Sequence, residues 1–158
     1  MRTWLVVVVA ACGASASELK TAQTAVYNAT PAQILELAEQ ATQESYKIGD
    51  VGTDGFTTRP RWFGPEGDSE SAGADNYAQV RDHSVRVSFH VKVIETAEHQ
   101  VKVMVTPETY QFMQGSPQPR PLAPDDPYLP PFVTGRAESL AMAIYERAKS
   151  YAAAAAAK

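Results

Sequence analysis

From Ser84 to Val93 the chain alternates between polar and apolar positions. Val85, Val87, Phe89, Val91 and Val93 alternate with Ser84, Arg86, Ser88, His90 and Lys92. Further on, Val101, Val103 and Val105 alternate with Lys102, Met104 and Thr106. A period of two puts each set on its own face of a pleated strand, so the segment predicts an antiparallel hairpin with its valines inward. The turn falls near Thr96-Ala97-Glu98. Facing Glu95 with His99 would set Arg86 against Glu108 but Lys92 against Lys102, so charge leaves the register open.

Helical spacing governs both ends of the domain. Thr30-Pro31-Ala32-Gln33 is a capping box with proline at the first helical position. Ile34, Leu35, Ala38 and Ala41 then form an apolar stripe, and the helix should end near Glu44 or Ser45. A second helix is expected from Pro131 or Phe132, burying Val133, Ala137, Leu140, Ile144, Ala148 and Tyr151. Between them, Tyr46–Ile48 and Phe56–Trp62 read as strands joined through an Asp54-Gly55 turn. Gly64 to Asn76 reads as a mobile polar loop. Seven of the eleven prolines fall between Pro117 and Pro131, which predicts an extended crossover outside the sheet. The order implies an α+β domain, a two-layer α/β sandwich. Its roughly four-stranded, mainly antiparallel sheet would be covered on one face by two helices. The arrangement looks like the small α/β domains of envelope lipoproteins, such as the helix-grip subunit of the outer-membrane β-barrel assembly machine. That likeness is one of topology and carries no functional residues.

Composition adds little to the fold but much to the address. The chain of 158 residues has a net charge of −4 and no Lys/Arg block, which argues against nucleic acid as a partner. Its single cysteine excludes an intramolecular disulfide. That cysteine follows Arg2 and the short apolar run Trp4–Ala11, which together read as a targeting segment. Val9-Ala10-Ala11-Cys12 resembles the lipobox of bacterial lipoproteins: an aliphatic residue, two small ones, then cysteine. The resemblance implies that Cys12 carries diacylglycerol, that residues 1–11 are removed, and that a further acyl chain such as palmitate joins the freed amine. Gly13 stands where inner-membrane members often carry Asp, which points to the outer membrane and its periplasmic face. Residues 12–24 would be the lipidated cysteine and a flexible tether, 25–151 one domain, and 152–158 an Ala-rich helical tail. A competing A-x-A site at Ala14-Ser15-Ala16 would release a soluble periplasmic or secreted protein beginning at Ser17.

The chemistry-bearing patterns are sparse. Gly67-Asp68-Ser69 resembles the nucleophile block of GDS-type lipases, but the late Asp-x-x-His of that family has no counterpart after His99. Glu66, Asp68 and Glu70 alternate like hard-cation ligands without the glycine and glutamate spacing of an EF-hand loop. His83 and His99 fall in phase with the inward residues, whereas His90 points out, so a shared metal is not expected. No catalytic residue, metal ligand or cofactor is assigned. The strongest surface pattern is Arg59-Pro60-Arg61-Trp62-Phe63, where Arg59, Arg61, Trp62 and Phe63 form a candidate interaction surface. The expected function is a non-catalytic, membrane-anchored binding or scaffolding module whose partner is another envelope protein or polymer. The alternative is a soluble protein, possibly an enzyme, cleaved at Ala16.

Overall fold

The computed structural model describes residues 15–73 and 79–153. The expected signal segment, Cys12 and the end of the alanine tail lie outside the described residues. The fold is α+β, with three helices and a seven-stranded open sheet. The elements are α1 (Ala16–Thr24), β1 (Tyr27–Asn28), α2 (Pro31–Gln43), β2 (Ile48–Val51), β3 (Gly55–Thr58), β4 (Arg61–Phe63), β5 (Val85–Ala97), β6 (Gln100–Gln111), β7 (Arg120–Leu122) and α3 (Pro131–Ala148). A 3₁₀ turn, Lys149–Tyr151, follows α3.

The β5–β6 hairpin is the axis of the sheet. Its register sets Arg86 against Tyr110, Ser88 against Glu108 and Lys92 against Met104. This is a two-residue shift from the Glu95–His99 pairing, so every side chain keeps its face while the two lysines separate. One edge of β5 receives β3 and β4, and the outer edge of β6 receives β1 and β7. Val85, Val87, Phe89 and Val91 are buried in one cluster with Ala38 and Ala41 of α2 and Val133, Leu140 and Ile144 of α3. A second cluster joins Tyr27, Ile34, Val93, Val101 and Ala148. Gly55 begins β3 hard against Val91, where an added Cβ would strike the Val91 carbonyl oxygen.

The structure corrects the four-strand, two-helix expectation at identifiable places. Arg59-Pro60 divides the expected Phe56–Trp62 strand into β3 and β4. Part of the proline-rich crossover joins the sheet, with Pro121 opposite Tyr110. An edge strand needs ladder bonds on one side only, which lets proline remain in it. Residues expected to be tether form α1, because Ser15 and Glu18 build a reciprocal capping box and Ala22 is buried. At the other end Ala152 is extended and bridges Tyr27, so the helix does not continue into the tail. Tyr151 lies in the 3₁₀ turn, 36% exposed, and is not part of the α3 stripe. His83 and His99 occupy left-handed backbone conformations (φ 62° and 58°) outside the strands, with exposed side chains.

Tyr27 offers a direct test of the second cluster. It is 1% exposed, and burial, helped by nearby Tyr145, pushes its phenol up to about 12. An unfolded tyrosine ionises near pH 10, so above that pH the unfolded chain loses a proton that the folded chain keeps. Folding stability should therefore fall between pH ~10 and ~12 by about 2–3 kcal/mol from this group. Denaturation measured across that range should show the loss in the wild type and a smaller one in Tyr27→Phe.

Candidate functional site

Strand parity decides which of the expected surface residues reach solvent. Arg61 faces Val87, Trp62 faces Arg86, and Phe63 faces Val85 across the β4–β5 pair. Directly paired residues share a face, so Arg61 and Phe63 lie on the helix-covered side and Trp62 on the other. Trp62 and Phe63 are 0% and 1% exposed. These two are therefore core residues and not contact residues, and only Arg59 and Arg61 of the four are exposed. Trp62 packs edge-on against Phe112 at 6.5 Å.

Burial of Phe63 organises a cationic site around it. The Arg136 guanidinium carbon lies 4.3 Å from the Phe63 ring centroid and that of Arg61 lies 5.6 Å from it. Phe132 packs beside the same ring at 6.0 Å. Arg136 comes from the first turns of α3 and donates from NH2 to the Gly67 carbonyl at 2.9 Å. Its Nε is buried without a hydrogen-bond partner. A buried donor left unsatisfied costs about 1–3 kcal/mol, and the ring contacts offset part of that. Arg61 donates to the Ser69 hydroxyl at 3.3 Å. Among the described residues neither guanidinium pairs with a carboxylate. A cavity of about 240 Å³ opens between the end of α2, β4 and α3, lined among others by Ser45, Tyr46, Arg61, Arg136 and Ser139. No acidic residue lines it.

Asp68 and Glu70, in the turn after β4, are held by Arg81, with one Glu70 oxygen buried and unbonded among the described residues. After β4 the chain turns back on itself, with the Gly64 amide donating to Asp68 O at 2.8 Å and Gly67 to Gly64 O at 2.9 Å. Arg81 then binds the Asp68 carboxylate, and its Nε donates to Glu70 at 2.7 Å. The Ser84 hydroxyl donates to the same Glu70 oxygen at 2.8 Å. Hydrogen bonding to Glu70 above all holds the Arg81 pKa above its usual value. A Cβ at Gly64 would displace the ends of the Arg81 and Asp68 side chains from this ion pair. The first part of the expected mobile loop is thus tied down, while Asn76 lies outside the described residues.

A second polar group lies on the sheet face away from the helices. His90 Nε2 and the Tyr110 hydroxyl donate to the two Glu108 oxygens at 3.0 and 2.8 Å, and Ser88 donates at 3.3 Å. The His90 bond first, then Tyr110, holds the Glu108 carboxyl below the usual carboxylate range. Arg86 stands 4.8 Å above the Tyr110 ring. Ser88 and His90 both spend their donors on Glu108 and not on each other, so the cluster is a satisfied acceptor without a nucleophile–base relay. In the glycine-rich turn, Ser69 has Arg61 as its partner, with the described histidines elsewhere. Among the described residues no three His, Cys, Asp or Glu side chains gather to hold a metal ion. No described helix is long and apolar enough to cross a membrane. Another cavity, about 390 Å³ between β6 and α3, is lined mainly by apolar groups such as Val103, Val105, Pro107 and Leu129, with Glu138 as its charged residue.

Gly67 carries the carbonyl that holds Arg136, and its backbone is left-handed (φ 89°), with a Cβ there placed 3.0 Å from the Phe132 ring. Gly67→Ala should destabilise the domain by about 1–2 kcal/mol from backbone strain, with a further loss from Phe132 displacement. Gly115 has a similar φ of 87° and nothing within 4 Å of its Cβ position. Urea unfolding of Gly115→Ala should therefore show the backbone component alone, and the difference between the two variants measures the Phe132 contact. Compared with known proteins, the chain matches no family model, no curated protein and no solved structure.

Proposed function

We propose that the protein is a lipid-anchored envelope module that binds an anionic partner, another envelope protein or polymer, without catalysing a reaction on it. The observation that carries this reading is the pair Arg61 and Arg136, uncompensated by any described carboxylate on a chain of net charge −4. Two positive charges held at one cavity of an acidic molecule steer an anion toward it.

Attachment through Cys12 suits the folded part of the chain. Cleavage before Cys12 leaves Ser15 and the capping box of α1 whole. Cleavage after Ala16 would remove Ser15 and the reciprocal bonds with Glu18, a loss of about 1 kcal/mol to the helix. The anchor places the domain at the outer membrane, on its periplasmic face.

Both halves of the proposal can be measured in cells. Wild-type protein should incorporate a labelled fatty acid, and Cys12→Ser should not. An intact mass for an unlipidated chain starting at Ser17 would overturn the anchor. In crosslinked envelopes the Arg59→Ala, Arg61→Ala double variant should capture partner about ten-fold less while remaining folded and membrane-associated. Unchanged capture would remove this face from the binding surface.

A further inference from the structure

The cavity beside Phe63 has donors on several walls and no acceptor of negative charge to satisfy them. Arg61 approaches from β4 and Arg136 from α3, and both stand by one buried ring at 5.6 and 4.3 Å. A guanidinium held against a ring keeps its N–H edge free for in-plane hydrogen bonds, so the two are oriented before a ligand arrives. Arg81 holds Asp68 and Glu70, and Arg147 holds Glu44 at the end of α2. Ser45 and Tyr46 also line the cavity, and neither hydroxyl is bonded to a described residue. The Ser139 hydroxyl donates to Gly135 O at 2.8 Å and is not counted among the free donors.

We propose that this cavity is a binding site for a phosphate group, with Arg61 and Arg136 as its charged ligands and Ser45 and Tyr46 as hydroxyl donors. The proposal rests on the anionic-partner reading above and gives it a chemical class. A carboxylate offers two oxygens in one plane, which two guanidinium groups approaching from different elements must share. A phosphate presents more acceptor oxygens in a tetrahedral array and can engage both arginines and a hydroxyl together. The volume of about 240 Å³ equals the share of roughly eight waters, more than a bare anion requires. Ala41, Leu140 and Ala143 supply apolar wall for the organic part of a phosphate ester. Inorganic phosphate and a phospholipid headgroup share the chemistry the site would read.

Titration calorimetry of the full chain with inorganic phosphate should show one saturable site. Arg61→Ala should weaken it about ten-fold or more, whereas Lys47→Ala, an equal charge loss at an exposed residue outside the cavity lining, should leave it within about two-fold. Circular dichroism should confirm that Arg61→Ala is folded. Arg136→Lys keeps the charge but not the fork, and should also weaken binding. In a second arm, sedimentation with phosphatidylglycerol vesicles, competed by inorganic phosphate, separates the sources. Arg61-dependent pelleting assigns the headgroup, and phosphate binding without pelleting assigns the free anion. Absence of saturable binding in both arms overturns the site. So does equal weakening by Lys47→Ala, which marks a diffuse basic surface, or acetate binding as tightly as phosphate. Loss of phosphate binding in Arg61→Ala with envelope capture intact would keep this site and remove the partner reading, and the reverse pattern would remove this site alone.

Discussion

The β5–β6 pairing is the constraint on which the rest of the molecule depends. These are the two longest strands, and the shorter ones attach to them. β3 and β4 divide one edge of β5, while β1 and β7 take the two ends of β6. None of those flanking strands exceeds four residues, so none would persist without the hairpin as a template. The same pairing fixes which side carries valine, and that side recruits α2 and α3. A one-residue slip would turn Arg86, Ser88, His90 and Lys92 toward the helices and remove the core outright.

Charge then divides the arginines into those that meet a carboxylate and those that do not. Arg81 takes Asp68 and Glu70, Arg147 takes Glu44, and Arg120 lies 3.6 Å from Asp126. Arg61 and Arg136 are left with a hydroxyl, a carbonyl and an aromatic ring. An acidic protein thus carries a locally cationic cavity. Its formation depends on Phe63 being buried, since the ring is what both guanidinium groups lean on.

What could be read along the chain was what neighbouring residues determine. The α2 capping box, the α3 start at Pro131 and the alternation of β5 and β6 are local patterns, and they appear where expected. The parity of Trp62 was not legible, because Arg59-Pro60 breaks the strand and resets which face each residue takes. Helix α1 was hidden by its small, polar composition, since its stability comes from contact with α3, although Ser15-x-x-Glu18 was a visible signal. In sequence Arg136 is one polar position of the amphipathic helix α3. Its role follows from bringing α2, β4 and α3 together, which no local pattern encodes. Glu108 likewise meets His90 and Tyr110 only once the hairpin register is known.

The early start of α1 also bears on how far the domain can stand from a bilayer. With Cys12 as the proposed anchor and Ser15 as the helix cap, three residue steps separate lipid from folded structure. Fully extended, they span about 11 Å. This exceeds the ~5–8 Å headgroup layer on one side of a bilayer only slightly. On that proposal the domain would search in two dimensions for partners at the membrane surface. Confinement to that thin shell would raise the effective concentration of any phosphate-bearing or acidic group in it, so that weak intrinsic affinity at the arginine cavity would suffice for occupancy.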